Sequence, residues 1–244
     1  MTLNMNSINI NSIILAGLAF GLSPASFASD THTSDHGDAI FHKFRLEAAA
    51  GEADGKGYSS FDLDGWIGTD QNKLWIKSEG QRTNSNTEKQ NLWALYSRNI
   101  ATFWDAQVGV RVDNDPKATT YFVAGFEGLA PYFFETEAHA FVNKDGDVSF
   151  RLKQRNDFLV TQRFILQPFL ELTANGQSDK SSKQGAGLSK GELGLQARYE
   201  ITRKFAPYFE VKYDRKFGHT ASFAKAENED VDAWVAQLGL RLLF

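Results

Sequence analysis

Histidine and carboxylate are the side chains of this sequence best suited to metal chemistry. The five histidines are His32, His36, His42, His139 and His219. His32 and His36 are interleaved with Asp30, Asp35 and Asp38, and His42 follows closely. His139 stands in phase with Glu135 and Glu137 at two-residue spacing, so a strand would line all three along one wall. Imidazole and carboxylate donors suit Cu(II), Ni(II) or Zn(II), whereas Cu(I) prefers sulfur. The candidate metal ligands are therefore His32, His36, His42, His139, Glu135 and Glu137. The competing readings are a solvated polar tail for His32 and His36 and a structural salt-bridge wall for the strand. His219, just after Phe217-Gly218, reads as an exposed loop residue.

Other chemistries are excluded or unsupported. There is no Cys, which removes disulfides, thiolate metal sites and cysteine nucleophiles. There is no HExxH pair, no glycine-rich phosphate loop and no Gly-x-Ser-x-Gly elbow. Ser222 and His219 are close in sequence but lack a third, orienting group. The expectation is a protein that is not an enzyme. A net charge of −4 and a pI of about 5.8 give no support for nucleic acid as a partner.

The elements that must position these residues are strands. Ile13 to Leu22 is an apolar run, and Ser26-Phe27-Ala28 places small residues for a cut after Ala28, so residues 1–28 read as a signal peptide. Residues 29–40 read as a polar tail containing His and Asp, and 41–244 as a barrel. Beyond the N-terminus no run of about 18 apolar residues occurs, which excludes membrane helices but not a membrane β-barrel.

Period-two alternation predicts twelve strands, at about 41–50, 58–69, 73–83, 89–99, 104–112, 118–129, 132–143, 148–158, 163–174, 189–201, 205–217 and 231–244. In the last, Trp234, Ala236, Leu238, Leu240, Leu242 and Phe244 share one face. Segments 89–99 and 148–158 alternate poorly. Short turns are expected near 70–72, 100–103, 130–131, 159–162 and 202–204, with long ones near 175–188 and 218–230. Even strand number puts both termini at one end, with the short turns. The expected fold is thus all-β: an antiparallel transmembrane β-barrel with short periplasmic turns and longer outer loops. A periplasmic β-sandwich is the competing fold. The barrel is favoured by turn lengths in strict alternation and by aromatics near strand ends, among them Trp66, Trp75, Trp104, Tyr132 and Trp234.

The polar face carries many charges. Inward acids would include Asp62, Asp64, Glu79, Asp105, Glu127, Glu135, Glu137, Glu171, Glu192, Glu200 and Glu210. Inward bases would include Lys77, Arg111, Arg151, Lys153, Arg155, Arg163, Arg198 and Lys212. They form either a charge ladder that fills a narrow barrel or a lumen that shapes ion passage.

Several long segments carry a family resemblance. Phe61-Asp62-Leu63-Asp64-Gly65-Trp66-Ile67-Gly68 is followed by Asn72-Lys73-Leu74-Trp75-Ile76-Lys77-Ser78-Glu79-Gly80. Later come Phe103-Trp104-Asp105-Ala106-Gln107-Val108-Gly109-Val110-Arg111 and Gly128-Leu129-Ala130-Pro131-Tyr132-Phe133-Phe134-Glu135. Ala197-Arg198-Tyr199-Glu200-Ile201-Thr202-Arg203-Lys204-Phe205-Ala206-Pro207-Tyr208 is the last long one. In this order they resemble copper resistance protein B, an outer-membrane family of copper-tolerant bacteria. The resemblance implies a barrel in the outer membrane that binds copper ions or helps export them. It also implies membrane lipid as its surroundings and periplasmic copper-resistance proteins as partners. Family members commonly carry a long N-terminal region rich in Met and His. Here about a dozen residues with His32 and His36 stand in its place, and Met1 and Met5 both fall in the signal, so copper would be held by His, carboxylate or backbone. The alternative is a narrow diffusion pore or structural envelope barrel that keeps the fold without binding copper.

Overall fold

The computed structural model describes residues 39–84, 86–115, 118–178 and 184–244. The expected signal peptide, and His32 and His36 of the tail, lie outside the described residues.

The strands are β1 (Phe41–Ala53), β2 (Lys56–Gly68), β3 (Asn72–Thr83), β4 (Asn86–Ala101), β5 (Trp104–Asp115), β6 (Thr119–Ala130), β7 (Phe134–Asn143) and β8 (Val148–Arg155). They continue as β9 (Phe158–Leu159), β10 (Phe164–Asn175), β11 (Gly187–Tyr199), β12 (Phe205–Lys216) and β13 (Asp232–Leu243). Each long strand pairs antiparallel with its neighbours in sequence, β8 pairing with β10. The sheet closes where β13 meets β1, from Arg45↔Leu243 to Ala53↔Val235. Twelve staves thus form a barrel without an edge, as the alternation predicts. The two-residue β9 pairs with the start of β10, continuing the wall where β8 has ended.

Burial is inverted relative to a soluble fold. Leu92, Val108, Val110, Phe122, Phe150, Leu193 and Leu238 are exposed, while Lys77, Arg151, Glu171, Glu192, Arg198 and Arg241 are buried. A sandwich would bury its apolar faces against each other. Here they form an outward band suited to lipid, which rules the sandwich out. Close strand approach also requires two glycines. The Phe61 ring lies over Gly80 and the Phe169 ring over Gly194, where any Cβ would collide.

The strict alternation of connection lengths does not hold. β1 and β2 are joined at the outer end by Asp54-Gly55 alone. Both residues have positive φ, 47° and 81°, the geometry that lets two residues reverse a hairpin. β3 and β4 are likewise joined by two residues, 84–85. The long outer connections are 176–186 and 217–231, the second carrying helix α1 (Gly218–Ala226). At the periplasmic end, the β8–β10 connection spans 156–163, longer than expected because it includes β9.

β4 explains its own weak alternation. Its outward face carries Leu92 and Tyr96, but Trp93 and Leu95 point inward and pack with Val123 and Phe141. Both faces are apolar, so the period-two signal is lost. The 148–158 segment fails differently: β8 ends at Arg155, and the chain leaves the regular ladder at Asn156 and Asp157.

Candidate functional site

The interior is a set of linked ion pairs, and its centre is Lys77. Register places Lys77 of β3 opposite Asp64 of β2, and Glu127 of β6 opposite Glu137 of β7. Two carboxylates facing each other across a ladder repel. The Lys77 ammonium relieves this, with Nζ 2.8 Å from Glu127, 2.7 Å from Glu137 and 3.2 Å from Asp64. The three carboxylates each offer an oxygen within 4.8 Å of the others, a spacing that could hold a metal ion. The lysine nitrogen binds all three of them.

Further pairs continue along the lumen. Arg151 forks onto Glu79 through both terminal nitrogens, at 3.0 and 2.6 Å, and reaches Glu171 at 2.7 Å. Lys89 lies 2.7 Å from Glu79. Glu192 receives Lys190 at 2.7 Å and Lys212 at 3.1 Å. Arg241 holds Glu47 at 2.6 Å and donates to Gln196 and Gln167. Arg198 bonds Asp157 at 2.7 Å, which also accepts from Gln167. Charges withdrawn from water must be paired in this way.

His139 sits beside the Lys77 cluster. It is 4% exposed, with its ring 5.4 Å from that of Trp93 in an edge contact. Its Nε2 lies 2.8 Å from Gln107 Oε1. The Gln107 amide nitrogen donates to Glu127 Oε2 at 3.0 Å, and a carboxylate only accepts, so the amide oxygen must face His139. His139 therefore donates from Nε2, and Nδ1 is the ring's lone-pair nitrogen.

Of the expected ligands, Glu135, Glu137 and His139 do share one wall of β7. Glu135 is more than half exposed at its periplasmic end and lies 3.2 Å from Arg155 Nε. Glu137 is held by Lys77 and Arg155. His42 stands apart, exposed near the start of β1. His219 is exposed on α1, as expected for a loop residue. Arg163 is a correction: it is exposed in the turn before β10 rather than inward, because that strand begins one residue later. Sequence reasoning missed Arg45 and Glu47, although they alternate with Phe44, Leu46 and Ala48. It also missed Asp157, which lies past the break after β8 and left no periodic signal.

Among the described residues, the interior includes a chamber and a vestibule. A chamber of about 100 Å³ is lined by Ser60, Asp62, Glu79, Arg151, Glu171 and Lys212, among others. A vestibule of about 460 Å³ lies nearer the outer end, lined by Asp54, Lys56, Thr83, Asp214 and residues of the 217–231 loop.

Comparison with known proteins agrees with this architecture. The family described as copper resistance protein B precursor matches residues 40–244. Copper resistance protein B of Escherichia coli is 41% identical over 186 residues, covering 76% of this chain and 63% of the relative. A copper resistance protein B homolog of Pseudomonas syringae pv. tomato (strain ATCC BAA-871 / DC3000) matches to the same extent. The match thus spans just under two thirds of the length of these curated relatives. Among solved structures, a NanC porin aligns with a TM-score of 0.57 at 14% identity, over 81% of this chain and 98% of that one. The KdgM porin aligns with a TM-score of 0.52 at 9% identity, with the same coverage. At such identities these two speak for the barrel fold alone.

Proposed function

Because the chain belongs to the copper resistance protein B family, we propose that this outer-membrane barrel serves copper resistance by binding copper ions or helping to export them. The observation that carries this reading is the β7 wall, where His139 and Glu137 sit beside Asp64 and Glu127 inside a closed lumen. The donors are imidazole and carboxylate, and residues 39–244 contain neither Met nor Cys, so the chemistry favours Cu(II) over Cu(I). His32 and His36 would add a capture point ahead of the barrel, and His42 a further donor near its start. Glu135 would sit at the periplasmic end of the same wall. Periplasmic copper-resistance proteins are the partners this reading calls for, delivering the ion to that end. No bond is made or broken in this role, so it needs no catalytic group.

The test is a copper titration of the full chain in detergent, read by calorimetry and Cu(II) spectroscopy. It runs beside a variant lacking residues 29–38 and a His139→Ala variant. Saturable binding lost with the tail assigns capture to His32 and His36. Binding lost only in His139→Ala places the site in the lumen. No saturable binding in any form would overturn the reading and leave a narrow pore or structural barrel.

A further inference from the structure

Among the described residues, Tyr58 alone lines both interior cavities. It belongs to β2, which runs from the outer end down past the chamber through Ser60 and Asp62. Its ring is 5% exposed and packs with Ala53 of β1 and Val235 of β13. Ala53 and Val235 are register partners across the seam that closes the barrel. These three side chains make an apolar patch on the β13–β1–β2 wall, separate from the inward cluster of Trp93, Leu95, Val123 and Phe141. The Lys212 ammonium lies 5.4 Å from the Tyr58 ring centre. The Tyr58 hydroxyl is buried and lies within electrostatic reach of the Lys212 ammonium. An apolar patch between two polar cavities resists wetting, the principle by which apolar constrictions close a pore.

We propose that Tyr58 is a gate in the outer part of the lumen. Its ring, backed by Ala53 and Val235, shuts the 100 Å³ chamber off from the 460 Å³ vestibule, and rotation of the ring joins them. The gate acts on any small hydrated cation, so it does not rest on the copper reading.

The chain has no cysteine, so one introduced thiol reports access cleanly. Ser60→Cys places the thiol in the chamber, and Thr83→Cys places a control in the vestibule. Both are made in the full chain, and each is treated with a small cationic methanethiosulfonate. Heat-dependent electrophoretic mobility confirms that every variant is folded. With Tyr58 present, the chamber thiol is expected to react on the order of tenfold slower than the vestibule thiol. Adding Tyr58→Ala should bring the two rates together. Tyr58→Phe keeps the ring and should leave the chamber slow. Val235→Ser makes the patch polar without emptying it, and should speed the chamber thiol even if Tyr58→Ala folds poorly. A chamber thiol equally fast with and without Tyr58, or slow in Tyr58→Ala and Val235→Ser alike, would overturn the proposal.

Discussion

Lys77 and Glu137 meet inside the barrel with Nζ and Oε2 2.7 Å apart, although their strands, β3 and β7, are separated by three others in the sheet. The same ammonium binds Glu127 and Asp64. One lysine therefore stabilises a like-charge pair that the register of β6 and β7 forces together.

Lys77→Met leaves three carboxylates without their shared cation. Breaking a buried pair in this way costs about 3–5 kcal/mol, read as a shift in urea unfolding of the folded barrel. Calcium should restore part of the loss in the variant and little in the parent, because the emptied seat has the spacing of a metal site. Equal stabilisation of both proteins by calcium would contradict this account.

His139 should be in the Nε2–H tautomer, detectable by nitrogen-15 chemical shifts of the imidazole. Gln107→Leu removes the acceptor at 2.8 Å and leaves a buried N–H unsatisfied. The expected loss is about 1–3 kcal/mol. A Nδ1–H ring in the parent would refute the orientation derived for Gln107.

Arg151 separates the contribution of charge from that of shape. Arg151→Ala takes away the arginine shared by Glu79 and Glu171, leaving Lys89 as the nearest cation of Glu79, and should cost about 3 kcal/mol, the low end for a broken buried pair. Arg151→Lys should recover only part of this, since an ammonium cannot reproduce the fork on Glu79. Full recovery by lysine would show that geometry matters little at this node.

Leu238 lies midway along β13 and is 68% exposed on the outer face. In phospholipid vesicles Leu238→Arg should destabilise the barrel by about 2–4 kcal/mol. In a water-facing strand the same change would be nearly neutral. A negligible effect in lipid would mean that this face does not contact the hydrocarbon.

Much of the barrel was legible from local pattern. β11 and β13 alternate cleanly, and their lipid and lumen faces are those read from the sequence. β4 was legible as a strand but its faces were not, because Trp93 and Leu95 fill the interior as apolar residues and erase the contrast between them. The two long outer connections were read correctly, but the β1–β2 turn was misjudged because Asp54-Gly55 closes a hairpin in two residues, so connection length does not by itself mark the end of the barrel. At the candidate site, the inward direction of Glu137 and His139 followed from spacing, but their partners did not.

The twelve staves, and the side of the wall that most charges occupy, are written in the residue pattern alone. Alternation is a property of neighbours along one strand, and lipid on one side with polar groups on the other imposes it at every step. Local pattern does not tell that Lys77 meets Asp64, Glu127 and Glu137, that His139 leans on Gln107, or that Tyr58 lines both cavities; the folded barrel does. Those encounters join strands distant in the chain, and they depend on the stagger and closure of the whole barrel, which no local period encodes.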